Sequence, residues 1–280
     1  MKQKFLSILL LILFCSGCSH LFYQPTKKHF LDPKQFKLTY EDVFFTSKDG
    51  TKLHGWFFKA KTQDVKGTVV QFHGNAQNIS THFFSLIWMI DHGYNLFTFD
   101  YRGYGKSEGE GSQKGVYEDA LAAIETGHSF YAANGAGKFI IYGQSLGGII
   151  SSRAVVDSKY KDEITLLVQD STFSSYQNLA FEKTSHSWLL FIVSPLVYVL
   201  VSDEYASDKV LDKLKIPVLV IVNQKDDVIP QKFGKKIYKK LKTEKWLWKY
   251  PNGRHIETFH HDQGRARGEF LRLLDQLPQR

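Results

Sequence analysis

The ten residues Phe139-Ile140-Ile141-Tyr142-Gly143-Gln144-Ser145-Leu146-Gly147-Gly148 constrain this chain more than any other stretch. A short apolar run stops at a Gly-x-Ser-x-Gly turn, and a second apolar run, Ile149-Ile150, follows at once. That order describes a strand turning sharply into a helix with a serine at the apex. The turn is strained, so the flanking positions want glycine: a Cβ at Gly143 or Gly147 would crowd the point where backbone and helix close up. The Ser145 side chain is then forced outward above the sheet.

The remainder of the chain has the alternation such a turn requires. The pattern predicts a hairpin over residues 43–58 and strands over 68–72, 96–99, 165–169, 217–222 and 246–250. Helices are expected over 80–91, 116–131, from the serine to 157, over 231–241 and over 263–277. Strands alternating with helices predict an α/β fold with a mostly parallel central sheet and helices on both faces. Ligands on such sheets bind beyond the carboxyl ends of the strands. The interval from about 171 to 210 breaks the rhythm, with an apolar run over 188–201 that Pro195 interrupts. A spanning helix is not expected at that length with a proline near its middle. The segment reads as a small helical cap over the site, favouring an apolar substrate group.

At 280 residues, with 43% apolar and 23% charged side chains, the chain can bury a sizeable core. The net charge of +8 fits a solvated lysine-rich surface or a face turned to a membrane, and no segment resembles a nucleic-acid module. The first residues read as a processing segment. Met1-Lys2-Gln3-Lys4 is basic, residues 5–14 are apolar, and Cys15-Ser16-Gly17-Cys18 closes with small residues. The expected organisation is a signal over 1–18, a polar tether over 19–40 containing Pro25 and Pro33, and one domain over 41–280. Both cysteines fall in the signal, so the domain has no disulfide, cysteine nucleophile or cysteine metal site. The histidine spacing offers no metal-ligand set either, and neither metal nor cofactor is expected.

A serine hydroxyl needs a base to take its proton, and the base needs an acid to hold its tautomer. In strand-turn-helix hydrolases the order is serine, acid, histidine. Asp226 follows the 217–222 strand and is the preferred acid, with Asp227 as its alternative. His255 follows the last strand in a loop able to reach Ser145, whereas His260 and His261 read as surface residues. One oxyanion donor should be the backbone N–H of Leu146, at a helix start where the dipole also favours negative charge. The second should come from the loop after 68–72, Asn75 or Ala76, with Asn75 preferred; His73 reads as a buttress of that loop.

Taken together these residues resemble the α/β-hydrolase superfamily, and its small serine-hydrolase branch that includes eukaryotic protein depalmitoylases. The matching segments are Asp49-Gly50-Thr51-Lys52-Leu53-His54-Gly55-Trp56, His73-Gly74-Asn75-Ala76, Asp100-Tyr101-Arg102-Gly103-Tyr104-Gly105-Lys106-Ser107, the serine turn, Asp170-Ser171-Thr172-Phe173, residues 226–230 and His255. One departure is Val222-Asn223, where the acid loop often begins His-Gly. The resemblance implies hydrolysis of an ester or thioester, or of an amide, through an acyl-enzyme with Ser145, His255 and Asp226. The alternatives weighed are an inert hydrolase scaffold used for binding and an acyltransferase. The end of the signal resembles the lipobox of bacterial lipoproteins, with Cys18 lipidated and Ser19 directing the protein to the outer membrane, facing the periplasm. Cys15 stands where leucine is most common. Such an anchor implies a membrane partner and substrates that are lipids or acylated proteins.

Overall fold

Strands that bury both faces can sit only in the middle of a layered sheet, and the centre of this fold is built from them. The computed structural model describes residues 22–134, 137–260 and 264–278; the signal-like segment with Cys18 lies outside the described residues. In chain order the elements are β1 (Gln24–Pro25), β2 (Glu41–Thr46), β3 (Lys52–Phe58), β4 (Gly67–Phe72), β5 (Ala76–Gln77), α1 (Ile79–His82), β6 (Tyr94–Asp100), α2 (Gln113–Ala133), β7 (Lys138–Gln144) and α3 (Leu146–Asp157). They continue through β8 (Ile164–Asp170), α4 (Tyr176–Ser185), α5 (Val197–Leu200), β9 (Val218–Asn223), α6 (Lys232–Lys240), β10 (Lys245–Tyr250) and α7 (Arg265–Gln276).

Among the described residues the main sheet has eight strands in the order β10-β9-β8-β7-β4-β6-β3-β2. The β2–β3 and β3–β6 pairs are antiparallel and the others parallel. Every residue of β4, β6, β7, β8 and β9 is buried. Successive residues serve opposite faces. Val70, Phe99 and Ile141 pack with Ile124 of α2 and Ile149 of α3 on one side. Val69, Leu96 and Tyr142 pack with Trp88 and with Phe270 of α7 on the other. This is the α/β sheet with helices on both sides that the alternation requires.

Three segments differ from their expected form. The single helix expected over 80–91 is α1 followed by 3₁₀ turns at Phe83–Ser85 and Ile87–His92, ending on Gly93 at φ 92°. Phe83 lies on both Trp56 (5.8 Å) and Phe58 (5.7 Å), with Phe84 against it at 4.3 Å. The tighter turns aim these crowded rings at the sheet.

The expectation of a polar tether up to residue 40 is corrected. Phe22 and Tyr23 are buried in the core, and β1 pairs in parallel with β5. The Asn78 amide donates to the carbonyls of Thr26 and Lys28 (both 2.7 Å), and Phe30 N donates to Ser80 Oγ (2.9 Å). Its prolines and lysines read as solvated chain, but side chains of the α1 turn answer its backbone groups. Residues 22–30 are a strap over the loops that follow β4 and β6, and the described domain starts at 22.

The 171–210 interval is helical at α4 and α5, joined by turns. Gln177 Nε2 donates to the carbonyls of Tyr198 (3.1 Å) and Val201 (2.9 Å), and Phe181 meets Tyr198 at 5.5 Å. These contacts hold the far end of the segment down on α4.

Candidate active site

Ser145 caps α3 with φ 52° and ψ −117°, a left-handed backbone that L-residues avoid. Its neighbours show why they are glycines. A Cβ on Gly147 would run into the Phe72 backbone, and one on Gly143 into Ser151 and the Gly147 carbonyl, all closer than 3.0 Å. The bend is held from the next strand. Ser145 N donates to the Asp170 carbonyl (2.9 Å), and Thr172 Oγ1 donates back to the Ser145 carbonyl.

Of the two aspartates after β9, the fold selects Asp226. Its Oδ2 lies 2.8 Å from His255 Nδ1, while Oδ1 accepts from the backbone amides of Val228 (2.9 Å) and Ile229 (2.7 Å). Asp227 is exposed and offers only its carbonyl, to Lys183. A carboxylate gripped by two amides has a fixed orientation, and the imidazole bonded to it takes that orientation.

The histidine loop is pinned to the same rim. Ile256 N donates to Ser171 Oγ (3.2 Å), and Ser171 follows the Asp170 whose carbonyl accepts from Ser145 N. Ser171 (φ 53°) and Ile256 (φ 53°) share the left-handed region with Ser145. For a β-branched residue this is an outlier. Strain thus collects at the ends of β7 and β8 and in the loop after β10. Asn223, at the departure from the family pattern, donates to Ser171 Oγ (2.9 Å) and Thr258 Oγ1 (3.1 Å). It ties the loop after β8 and the histidine loop to the acid loop.

Two further groups set the electrostatics. Burial raises the Asp170 pKa to about 6, although hydrogen bonds from Tyr142 and Ser171, the nearby His255 and a bond from Thr258 pull it down. His82, also close to His255, has its pKa pushed down to about 4 by removal from water and by the His73 ring 5.2 Å away. A neutral His82 does not oppose positive charge on His255.

A cavity of about 160 Å³ opens at the serine, with Asn75, Ser145 and Leu146 in its wall. The amide of Leu146 belongs to the first turn of α3, where no intrahelical acceptor exists. The Asn75 side chain turns to the strap and neighbouring loop, accepting from Gln24 N (2.8 Å) and Tyr104 Oη (3.1 Å). The rest of the wall is apolar, with Phe22 from the strap, Phe173, Leu179 and Ala180 from the cap side, and Val228 and Ile229 after the acid. Lys183 is the charged side chain among the lining residues.

His73 is buried, with Nδ1 2.7 Å from the Gly74 carbonyl and Nε2 3.4 Å from Asp100 Oδ1. It buttresses the loop as expected of it. Asp100 also accepts from Ile79 N (2.9 Å) and faces His29 of the strap at 3.7 Å. Burial would raise its pKa, but the facing His29 and His73 rings outweigh burial and hold it low. His29, His54 and Asp100 place one ligand-type atom each within 4.8 Å of one another. The cluster joins strap and sheet, and His29 Nε2, His54 Nδ1 and Asp100 Oδ2 are buried there without a hydrogen-bond partner.

Of the expected site residues, the structure brings Asp226 and His255 into contact and puts Ser145 at the start of α3. Sequence reasoning assigned no role to the strap, to His82, or to Asp170-Ser171-Thr172. The last three were legible in one respect, since they end the buried strand beside the serine strand. Cys18 lies outside the described residues.

Residues 63–207 match the family model described as serine aminopeptidase, S33. The chain is 33% identical over 270 residues to the uncharacterised protein YfhR of Escherichia coli O157:H7, covering 93% of this chain and 90% of that protein. It is 27% identical over 247 residues to the uncharacterised membrane protein YNL320W of Saccharomyces cerevisiae, covering 85% and 81%. Among solved structures, the Pyrococcus furiosus esterase Pf2001 superposes with a TM-score of 0.69 at 20% identity, over 91% of this chain and 97% of that one. Among the described residues no helix is long and apolar enough to cross a membrane.

Proposed function

This chain belongs to the serine aminopeptidase S33 family of the α/β-hydrolase superfamily, and from that premise we propose that it hydrolyses esters or thioesters of apolar acyl groups through an acyl-enzyme. Ser145 Oγ attacks the carbonyl carbon while His255 Nε2 takes its proton. Asp226 holds the imidazole and offsets its charge. The amides of Asn75 and Leu146 receive the oxyanion. Collapse of the tetrahedral intermediate breaks the bond to the alcohol or thiol, which leaves with the proton from His255. Water, deprotonated by His255, then attacks the acyl-serine, and the acid departs as Ser145 recovers its proton.

The observation that carries this reading is the 2.8 Å contact between His255 Nδ1 and an Asp226 carboxylate already fixed by two amides. An ester or thioester is favoured over an N-terminal peptide by the cavity. An aminopeptidase must hold a substrate ammonium, which calls for a carboxylate, whereas the charge on this wall is the cation Lys183. We also propose that Cys18 is lipidated and that the protein works at the bacterial envelope, on the periplasmic face of the outer membrane. Acylated lipids or proteins would then be within its reach.

Labelling of the purified protein by a fluorophosphonate, lost in Ser145→Ala, is the expected result. No labelling of the folded wild-type protein would favour the inert-scaffold reading. Product analysis with an added alcohol separates hydrolysis from acyl transfer. For the anchor, an alkyne fatty acid fed to cells should be incorporated by the wild-type chain and not by Cys18→Ser.

A further inference from the structure

Between Lys183 and Asp203 the chain has no Asp, Glu, Lys or Arg, and much of this segment faces outward. Trp188 is 86% exposed, Ile192 75% and Val199 83%, with Leu189, Phe191 and Leu196 each more than half exposed. A contiguous apolar surface of this kind marks a binding face. The segment is not loose chain. Ser194 and Val197 turn inward, the Ser194 hydroxyl donates to the Phe191 carbonyl (2.7 Å), and the Gln177 amide holds Tyr198 and Val201 onto α4. The polar groups are satisfied beneath and the apolar side chains point away. The result is a ridge.

Three observations say what covers it. First, Phe22, where the described chain enters the fold, lines a cavity with Leu200 and Val201 at the end of the ridge. The 21 residues upstream, with their apolar run over 5–14, therefore start from beside it. Second, the cavity at Ser145 has Phe22, Lys183 and the exposed Val228 in its wall, so its mouth lies at the foot of the same ridge. Third, the charged group there is a lysine, on a chain of net charge +8, which suits anionic headgroups. A protein partner would explain the ridge alone. A lipid surface explains the ridge, the entry point of the chain and the lysine at the mouth.

We propose that residues 188–199 dock this protein on a phospholipid bilayer, with Trp188, Ile192 and Val199 among the acyl chains and the catalytic cavity facing the headgroup layer. Docking does not depend on the hydrolase reading. Its consequence for substrate, that acyl groups enter from the membrane, rests on that reading.

The full-length chain is mixed with vesicles of phosphatidylcholine and phosphatidylglycerol brominated on their acyl chains, and tryptophan emission is followed. Trp56 and Trp88 are buried and Trp246 and Trp248 are half-buried on β10, so the difference between wild type and Trp188→Phe isolates the share of the ridge, whatever the N-terminal segment does. The expected result is a blue shift and bromine quenching that disappear in Trp188→Phe. The double variant Leu189→Asp/Ile192→Asp should lose roughly tenfold or more of the Trp188 quenching affinity, with hydrolysis of a soluble short-chain ester unchanged. Emission from Trp188 that stays unshifted and fully open to iodide in the presence of vesicles overturns the proposal. Protection of Trp188 that grows with protein concentration without lipid also overturns it, in favour of a second copy of the chain. An inactive protein whose Trp188 is still quenched would sink the hydrolase reading and leave docking standing.

Discussion

The strap over residues 22–30 reaches the Ser145 cavity through Phe22, the ridge over 188–199 follows the helix that gives that cavity Leu179 and Ala180, and the two are held by opposite means. The strap is stitched by hydrogen bonds with Asn78, Ser80 and Asn75 and buries Phe22 and Tyr23. The ridge is fastened from beneath by a few inward groups and leaves its aromatics outside. Directional bonds fix one geometry, as the loop carrying Asn75 requires. Apolar contact tolerates many partners and sliding, as a surface meeting lipid or varied acyl chains requires. The same chain therefore has one rigid wall, stitched by polar groups at the strap, and one adaptable apolar face at the ridge.

The comparison breaks at once if the fixed wall does not hold the reacting groups. Asp226→Asn is expected to lower kcat/KM for a p-nitrophenyl ester by about 10⁴, while Asp227→Asn leaves it within roughly threefold. Equal losses in the two would remove Asp226 from the mechanism.

Next in size is the loop beneath the strap. Arg102 is buried with Asp119, bonds it through Nη2 at 2.7 Å, and reaches Asp49 at 2.8 Å. Gly105 of the same loop donates to the Thr26 carbonyl of the strap (3.0 Å). Arg102→Leu strands a buried carboxylate and should cost about 3–5 kcal/mol in urea denaturation. A loss below 1 kcal/mol would mean that the polar side is not held as described.

Asp170 sharpens the same point through pH. Its folded pKa is raised to about 6 by burial, above the ordinary 3.8. The folded state therefore holds that proton more tightly, and the associated stability is full below pH 3.8 and lost as pH rises through 6. Relative to Asp170→Asn, the wild-type protein should lose on the order of 3 kcal/mol across that window. Parallel stability profiles for the two proteins would contradict the burial argument.

Asn78→Ala removes the stitches of the strap and should cost about 1–3 kcal/mol, lowering kcat more than it raises KM. The smallest effect belongs to the apolar wall. Val228→Ser should raise KM severalfold for long-chain esters, within about 1–3 kcal/mol, with short-chain esters unaffected. A uniform change across chain lengths would argue against an acyl-binding cavity.

Much of this was legible in the chain. The strands and most helices stand within a few residues of where periodicity and turn residues place them, because those patterns are local. Ser145 was legible because its turn needs glycines on both sides, and His255 because few loops follow the last strand. Asp226 was preferred to Asp227 only for its shorter reach from the strand end, since both are adjacent polar residues of one loop. The backbone amides of Val228 and Ile229, bending back onto one carboxylate, separate them. The strap was misread because its composition resembles solvated chain, and the partners of its backbone groups, Asn78 for two carbonyls and Asn75 and Ser80 for two amides, are distant in the chain. The broken helix at 83–92 reflects crowding by Trp56 and Phe58 from another strand.

By itself the sequence determined the layered α/β fold and the order in which serine, acid and histidine arrive at the strand ends. Periodicity and glycine placement act over a few residues and need no partner to be read. Tertiary structure alone decided which aspartate meets His255, that residues 22–30 close the edge of the site, and that the apolar run over 188–199 faces outward. Each of those outcomes depends on side chains far apart in the chain competing for the same space or the same hydrogen bond.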